Sequence, residues 1–442
     1  MNTPVYDFLE KYSQSDTLRC HMPGHKGKSF FPELSALYSL DITEIKGADS
    51  LFEADGIIAH SEKNSSWLYG SAGTVFSTGG STLCIQTMLA VIKSEKRRLI
   101  AVRNVHRAFL NAVALLDIDV EWIIPEYSGG ILSGNINLSD VEKAFEKNNT
   151  PSALYVTSPD YTGKTADIKA LAEICHRHNA RLIVDNAHGS HLKFLKPDIH
   201  PISLGADMCC DSAHKMLPAL TGSAMLHTSV AEYVPILKQK MTMFASTSPS
   251  YLIMLSLDLC NRYIVENITH DIEKNLAYIE KFRNDFSEKI IFSDSEPFHI
   301  TIQAEKSGYC GNQLAELMRI NGVECEYSDS SLLILLMSPM CEKSDYERLS
   351  LSLDFALKNA GKKSPRYNDF NIELPEKAMT VREAVFSECE EIAVEEALGR
   401  ICASVKVPCP PAVPIVASGE RIDIKSINIF RKYGISSVIV VK

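Results

Sequence analysis

Between residues 98 and 185 the chain alternates short apolar runs with stretches of helical spacing. The runs are RLIAV (98–102), VEWII (120–124), ALYVT (153–157) and RLIVD (181–185). HRAFLNAVALL follows the first of them. DIKALAEICHRH lies between the last two and opens on an aspartate, where a carboxylate can cap a helix. Strands this uniformly apolar are buried on both faces, so the pattern predicts an α/β domain on a mostly parallel sheet. Ligands of such sheets gather beyond the carboxyl ends of the strands. Here those ends read VRNVH, VTSPDYTG and VDNAHGSH.

A chain of 442 residues exceeds one ordinary core. Residues 1–60 are rich in glycine, proline, histidine and charge and read as an N-terminal arm. The large sheet domain is expected over 61–290 and a small α+β domain over 291–362, with FHITIQA, GVECEYSD and SLLILLMS as its strands. GKKSPRYNDFNIELPEK reads as a linker, and 376–442 as a C-terminal module. A net charge of −10 argues against general nucleic-acid binding. The first twenty residues carry no basic stretch leading into an apolar run, and no apolar segment reaches bilayer length, so a cytoplasmic protein without membrane contact is expected. The twelve cysteines are scattered without a CxxC pair, which reads as free thiols in a reducing compartment.

Four short stretches carry chemistry. STGGSTLC (77–84) sets two glycines, Ser81 and Thr82 before a helical run, an arrangement that offers backbone N–H groups and hydroxyls to a phosphate, though many such turns bind nothing. His106 lies just past a strand, and a lone histidine there also suits a structural role. Asp185 ends a hydrophobic strand, either capping the next loop or partnering a protonated ring nitrogen. DSAHKML (211–217) places Lys215 among apolar neighbours, beside Ser212 and His214. That lysine either snorkels to water or is held because its amine condenses with a carbonyl. Cup, flat cover, acid and lysine are together the parts of a pyridoxal 5'-phosphate site.

Further motifs extend the pattern. HMPGHKG (21–27), DITEIKGADSLFEADGIIAHSE (41–62), RNVHRAF, TSPDYTG, VDNAHG, SAHKML and STSPSY, then AMTVREAVF and PCPPAVPIVASGERI, stand in one order from about residue 20 to 425. In these the chain resembles the bacterial Orn/Lys/Arg decarboxylase family, and within it the short biosynthetic-type arginine decarboxylases. Lys46 and Ala48 stand where the family commonly has a proline and acids, and Asn186 where it usually has glutamate.

The resemblance implies a PLP-dependent transferase of fold type I, with a large, mostly parallel seven-stranded-type sheet domain. It implies decarboxylation of a basic L-amino acid, arginine to agmatine foremost, with lysine or ornithine to the diamine as close options. By the same resemblance Lys215 carries the cofactor aldehyde, Asp185 pairs with the pyridine nitrogen and His106 stacks on the ring. Ser81, Thr82, Ser212 and His214 hold the phosphate, and His188 belongs to the cofactor's surroundings. Ser246 is donated by a neighbouring subunit, so a homodimer or higher homo-oligomer with an interfacial site is expected. Glu420, Asp49 and Glu53 are the candidate acids for the substrate's distal cation. The competing readings are an aminotransferase or carbon–sulfur lyase on the same fold, a metal hydrolase on His21/His25 or His188/His191, and a non-catalytic cofactor-binding protein. No metal is expected, because Pro23 and Gly24 keep the first histidine pair off one helix face.

Overall fold

The computed structural model describes residues 1–127, 130–148, 150–364, 373–404 and 413–442. They form two compact units, Met1–Glu95 with Arg181–Ile272 and Lys96–Ala180 with Glu273–Lys442. Seven strands carry the α/β part: β1 (Gly73–Ser77), β2 (Arg98–Val102), β3 (Val120–Ile123), β4 (Ser152–Thr157), β5 (Arg181–Asp185), β6 (Met208–Asp211) and β7 (Ala224–Thr228).

The first unit holds the order β1-β7-β6-β5. β5 and β6 run parallel, while β7 is antiparallel to both β6 and β1. That reversal follows from a short connection: residues 212–223 return the chain directly, whereas a parallel neighbour needs a crossover helix. The second unit holds β4-β2-β3, all parallel, and its carboxyl ends are those of RLIAV, VEWII and ALYVT. Interior strand residues such as Ile100, Leu154 and Ile183 are fully buried, which is why these runs lack polar alternation.

The N-terminal segment is more structured than an arm. Pro4–Ser13 is a helix that buries Val5 and Leu9. Its first-turn N–H groups on Val5 and Tyr6 donate to Asp258 Oδ2 at 2.9 and 3.0 Å, and Ser61 Oγ donates to Oδ1 at 2.5 Å. A buried carboxylate thus ties the helices Pro4–Ser13 and Ile57–Tyr69 to the helix Tyr251–Glu266, on which it stands.

In the second unit, His299–Ile302, Leu333–Leu336 and Tyr327–Ser328 form an antiparallel sheet. Cys389–Ala393, Ser437–Val441 and Cys402–Ser404 form another, around a core that includes Val394, Ile422, Phe430 and Val438. Residues 365–372 of the expected linker and 408–412 of PCPPAVPIVASGERI lie outside the described residues. Among the described residues every cysteine is free, and no helix is long and apolar enough to cross a membrane.

Candidate functional site

Strand β6 ends on Asp211 and passes into the single turn Ala213–Met216. Ala213 and Met216 are buried and fasten that turn to the core, which brings Lys215 half inside. Its Nζ lies 2.8 Å from His188 Nε2, in the turn that follows β5. The amine is held by a neighbouring imidazole rather than extended into water.

Asp185, the last residue of β5, is 2% exposed. Its Oδ1 accepts the N–H of Ala187 at 3.2 Å and meets the Cys210 thiol at 3.6 Å. Because β5 and β6 are parallel neighbours, their carboxyl ends bring Asp185 and the lysine turn to one edge of the sheet. At the same edge Ser212 Oγ donates to Ser81 Oγ at 2.9 Å. Ser81 and Thr82 lie in the first turn of the helix Gly80–Ser94, whose N-terminus has no capping side chain. Gly80 has φ +67°, donates its N–H to the Gly222 carbonyl at 2.8 Å, and would meet nothing within 4 Å if it carried a Cβ. The open helix N-terminus, with hydroxyls on two sides, has the donor set and the room that a phosphate needs. His214 Nδ1 donates to the Ser223 carbonyl at 2.9 Å, and burial pulls its pKa down.

The remaining candidates make local bonds. Ser246 is exposed and accepts the N–H of Ser248 at 3.1 Å. His106, in the second unit, caps the helix Arg107–Leu116, its Nδ1 accepting the Ala108 N–H at 3.1 Å.

Two of the three acids expected to meet the substrate's cation have their oxygens engaged within the chain. Asp49, at φ +70°, accepts N–H groups of Ser50 and Asp55 at Oδ1 (2.9 and 3.0 Å) and of Gly56, Ile58 and Ala59 at Oδ2 (2.9, 2.9 and 3.3 Å). Its oxygens are occupied by the loop and by the N-terminus of the helix Ile57–Tyr69. Glu420 is buried in the second unit, with Arg103 Nη1 and Nη2 donating to its two oxygens at 2.9 and 2.6 Å. The Ala417 N–H adds a third bond at 2.7 Å, and the guanidinium lies 4.7 Å from the centre of the Trp122 ring. Only Glu53 of the three keeps an exposed carboxylate, which accepts Ser50 Oγ at 2.7 Å.

The first histidine pair of the metal reading has two different hydrogen-bond partners. His21 bonds the Tyr12 hydroxyl at 2.7 Å and His25 bonds Asp41 at 3.1 Å. A buried group that the sequence reading missed is His200, Cys209 and Asp211, whose donor atoms lie within 4.8 Å of one another. His200 stands in a loop far from any motif, so no spacing signal could have found it.

The chain is similar to known proteins over nearly its whole length. A model described as Orn/Lys/Arg decarboxylase, major domain, matches residues 3–304, and one for the C-terminal domain of the same family matches 366–433. An arginine decarboxylase of Bacillus subtilis (strain 168) is 28% identical over 454 residues, covering 96% of this chain and 92% of the relative. An arginine decarboxylase of Bacillus cereus is 26% identical, covering 97% of this chain and 99% of its own. The crystal structure of the Francisella novicida lysine decarboxylase superposes with a TM-score of 0.81 at 18% identity, over 100% of this chain and 81% of that one. These neighbours give the fold: α/β, of fold type I.

Proposed function

The chain belongs to the Orn/Lys/Arg decarboxylase family and is a carboxy-lyase, and from that premise we propose that it converts L-arginine to agmatine and carbon dioxide with pyridoxal 5'-phosphate. Arginine is chosen because relatives covering nearly the whole chain bear that name. The cofactor supplies an electron sink for the carbanion left as carbon dioxide departs.

The chain's own residues divide the remaining work. Lys215 Nζ is the attachment point, and His188 Nε2 at 2.8 Å gives or takes a proton there. Asp185, a carboxylate at the strand end, holds a proton on a ring nitrogen, since a nearby anion favours the cationic form. Ser81, Thr82, Ser212 and the N–H groups of the helix Gly80–Ser94 bind the phosphate. His214, whose pKa is lowered by burial, joins them. His106 is kept as the ring's cover on the strength of its motif RNVHRA alone. Glu53 is assigned to the substrate's distal cation as the open acid of the three.

A second copy of the chain is proposed to complete the site. The exposed Ser246 and the solvent-facing Leu18, Met22, Phe30 and Phe31 in the first unit support it, for so much apolar surface on one segment marks a contact. The partition into 1–60, 61–290, 291–362 and 376–442 is likewise proposed, with limited proteolysis as its check. A cytoplasmic location is proposed from the thiol content.

The observation that carries the reading is the contact between Lys215 Nζ and His188 Nε2 at the strand edge that also holds Asp185. The test is incubation of the purified chain and cofactor with arginine, lysine and ornithine separately, followed by identification of the product. Agmatine and carbon dioxide are expected. A keto acid would replace the decarboxylase reading with transamination, and cadaverine or putrescine would move the substrate to lysine or ornithine.

A further inference from the structure

Asp211 is a fully buried carboxylate, four residues before Lys215. Side chains alternate along a strand, so Asp211 and Cys209 face away from Cys210, which meets Asp185. Asp211 therefore lies on the sheet face opposite to Asp185. Asn186 Nδ2 donates to its Oδ1 at 2.7 Å. On Oδ2 converge His200 Nε2 at 3.0 Å and His227 Nε2 at 3.5 Å. His227 Nδ1 lies 2.8 Å from Thr74 Oγ1, and both imidazoles pack on the Tyr69 ring. Burial alone would raise the Asp211 carboxyl, but the two histidines outweigh it and hold it far below the usual range. A charge this deep is costly unless it is paired, so its position asks for a reason.

Asn186 supplies one. It directly follows Asp185, and the turn it begins folds over its side chain: Gly189 N–H donates to the Asn186 carbonyl at 2.8 Å, and a Cβ on Gly189 would sit 2.0 Å from Asn186 Oδ1. Asn186 Oδ1 has no hydrogen-bond partner among the described residues, so its amide is fastened through Nδ2 to Asp211. The same turn presents His188 to Lys215.

We propose that Asp211 is a positioning residue for the lysine: it anchors Asn186 and so sets the turn that holds His188 against Lys215 Nζ. This rests on the functional reading above in naming Lys215 as the cofactor's attachment point. The alternative use of the cluster is a metal held by His200, Cys209 and Asp211. A hydrogen bond already joins His200 to Asp211, and burial pushes the Cys209 thiol well up, which keeps it a neutral, poor ligand.

The test is a double-mutant cycle on Asn186→Ala and Asp211→Asn. Three quantities are read: affinity for pyridoxal 5'-phosphate by titrating the cofactor-stripped chain, the pH midpoint of the bound cofactor's visible absorbance, and the Tm of the stripped chain. Each single variant is expected to weaken cofactor binding about ten-fold and to move the pH midpoint, and the double variant to do no worse than D211N. Independent, multiplying effects, a fall in Tm with midpoint and affinity intact, or one equivalent of zinc in the purified protein would each overturn the proposal. If D211N does not fold, N186A decides alone, since it leaves Asp211 with both histidines; unchanged affinity and midpoint then refute the role. A wild-type chain that binds no cofactor refutes the functional reading and this proposal together, whereas a binding wild type with unaltered variants refutes only the positioning role.

Discussion

Asp185 and Glu420 are both carboxylates nearly closed to water, 2% and 4% exposed, and each lies within a motif of the same family. Their settings differ. Glu420 has a guanidinium across both oxygens and a backbone N–H besides, a set that neutralises its charge and fills its acceptor directions. Asp185, the last residue of β5, accepts the Ala187 N–H at 3.2 Å and meets the Cys210 thiol at 3.6 Å, at the strand end that also leads to the lysine turn. Burial alone therefore says little about whether an acid serves chemistry. A guanidinium across both oxygens marks a structural acid, and a place at the carboxyl end of a buried parallel strand, beside a half-buried lysine turn, marks one set where ligands gather.

The largest effect is expected at the reactive edge that Asp185 shares. Lys215→Ala should lower decarboxylation by at least about 10³-fold, as removal of a covalent group does, and should abolish the adduct trapped by borohydride. Retention of a borohydride-trapped adduct in that variant would dissolve the contrast, because the attachment point would then lie elsewhere.

Next comes the opposite pole. Glu420→Ala strands the Arg103 guanidinium in a buried setting, and breaking such a pair costs about 3–5 kcal/mol. A marked fall in Tm is expected, with KM for arginine in the surviving folded protein close to wild type. A raised KM without loss of Tm would return Glu420 to the substrate and remove the distinction drawn between the two acids. Glu53→Gln is expected to act in the reverse sense: KM for arginine up several-fold, Tm unmoved. Exposed ion pairs contribute little to stability, so a stability effect there would show that Glu53 is not an open acid.

These contrasts mark where the sequence was informative. RLIAV and RLIVD coincide with β2 and β5, and Asp167 caps its helix through Ala170, since apolar runs and caps are local properties. β1, β6 and β7 carry GTVFS, MCCD and AMLHT, whose small, sulfur and polar residues break the apolar run that reveals a buried strand. They are strands because their neighbours bury them. Within the site, Ser81 and Ser212 were legible as hydroxyls near a glycine turn, and the structure brings them to 2.9 Å. The pairing of Arg103 with Glu420 spans 317 positions and leaves no periodic trace. Likewise His200, His227 and Asn186 meet Asp211 only through tertiary packing, and no residue-type pattern distinguishes them from solvated side chains.

The smallest effect is expected at Asp49, an acid intermediate between the two poles: partly exposed, yet closed by five N–H groups. Burial works to raise its pKa, but the backbone bonds from Asp55, Ser50, Ala59 and Gly56 prevail and hold it below the ordinary carboxylate range. The unfolded chain therefore takes up a proton at Asp49 before the folded chain does. Its contribution to stability is complete above the unfolded value, about 4, and fades as pH falls through the lower, folded one. Asp49→Asn removes that titration. It should lower Tm by a few degrees at neutral pH, as loss of a capping carboxylate does, and narrow the gap to wild type as pH falls. Melting curves across the acid limb check both. An unchanged Tm at neutral pH combined with a raised KM for arginine would mean that the N–H groups do not hold this carboxylate in place, and would return it to the substrate beside Glu53.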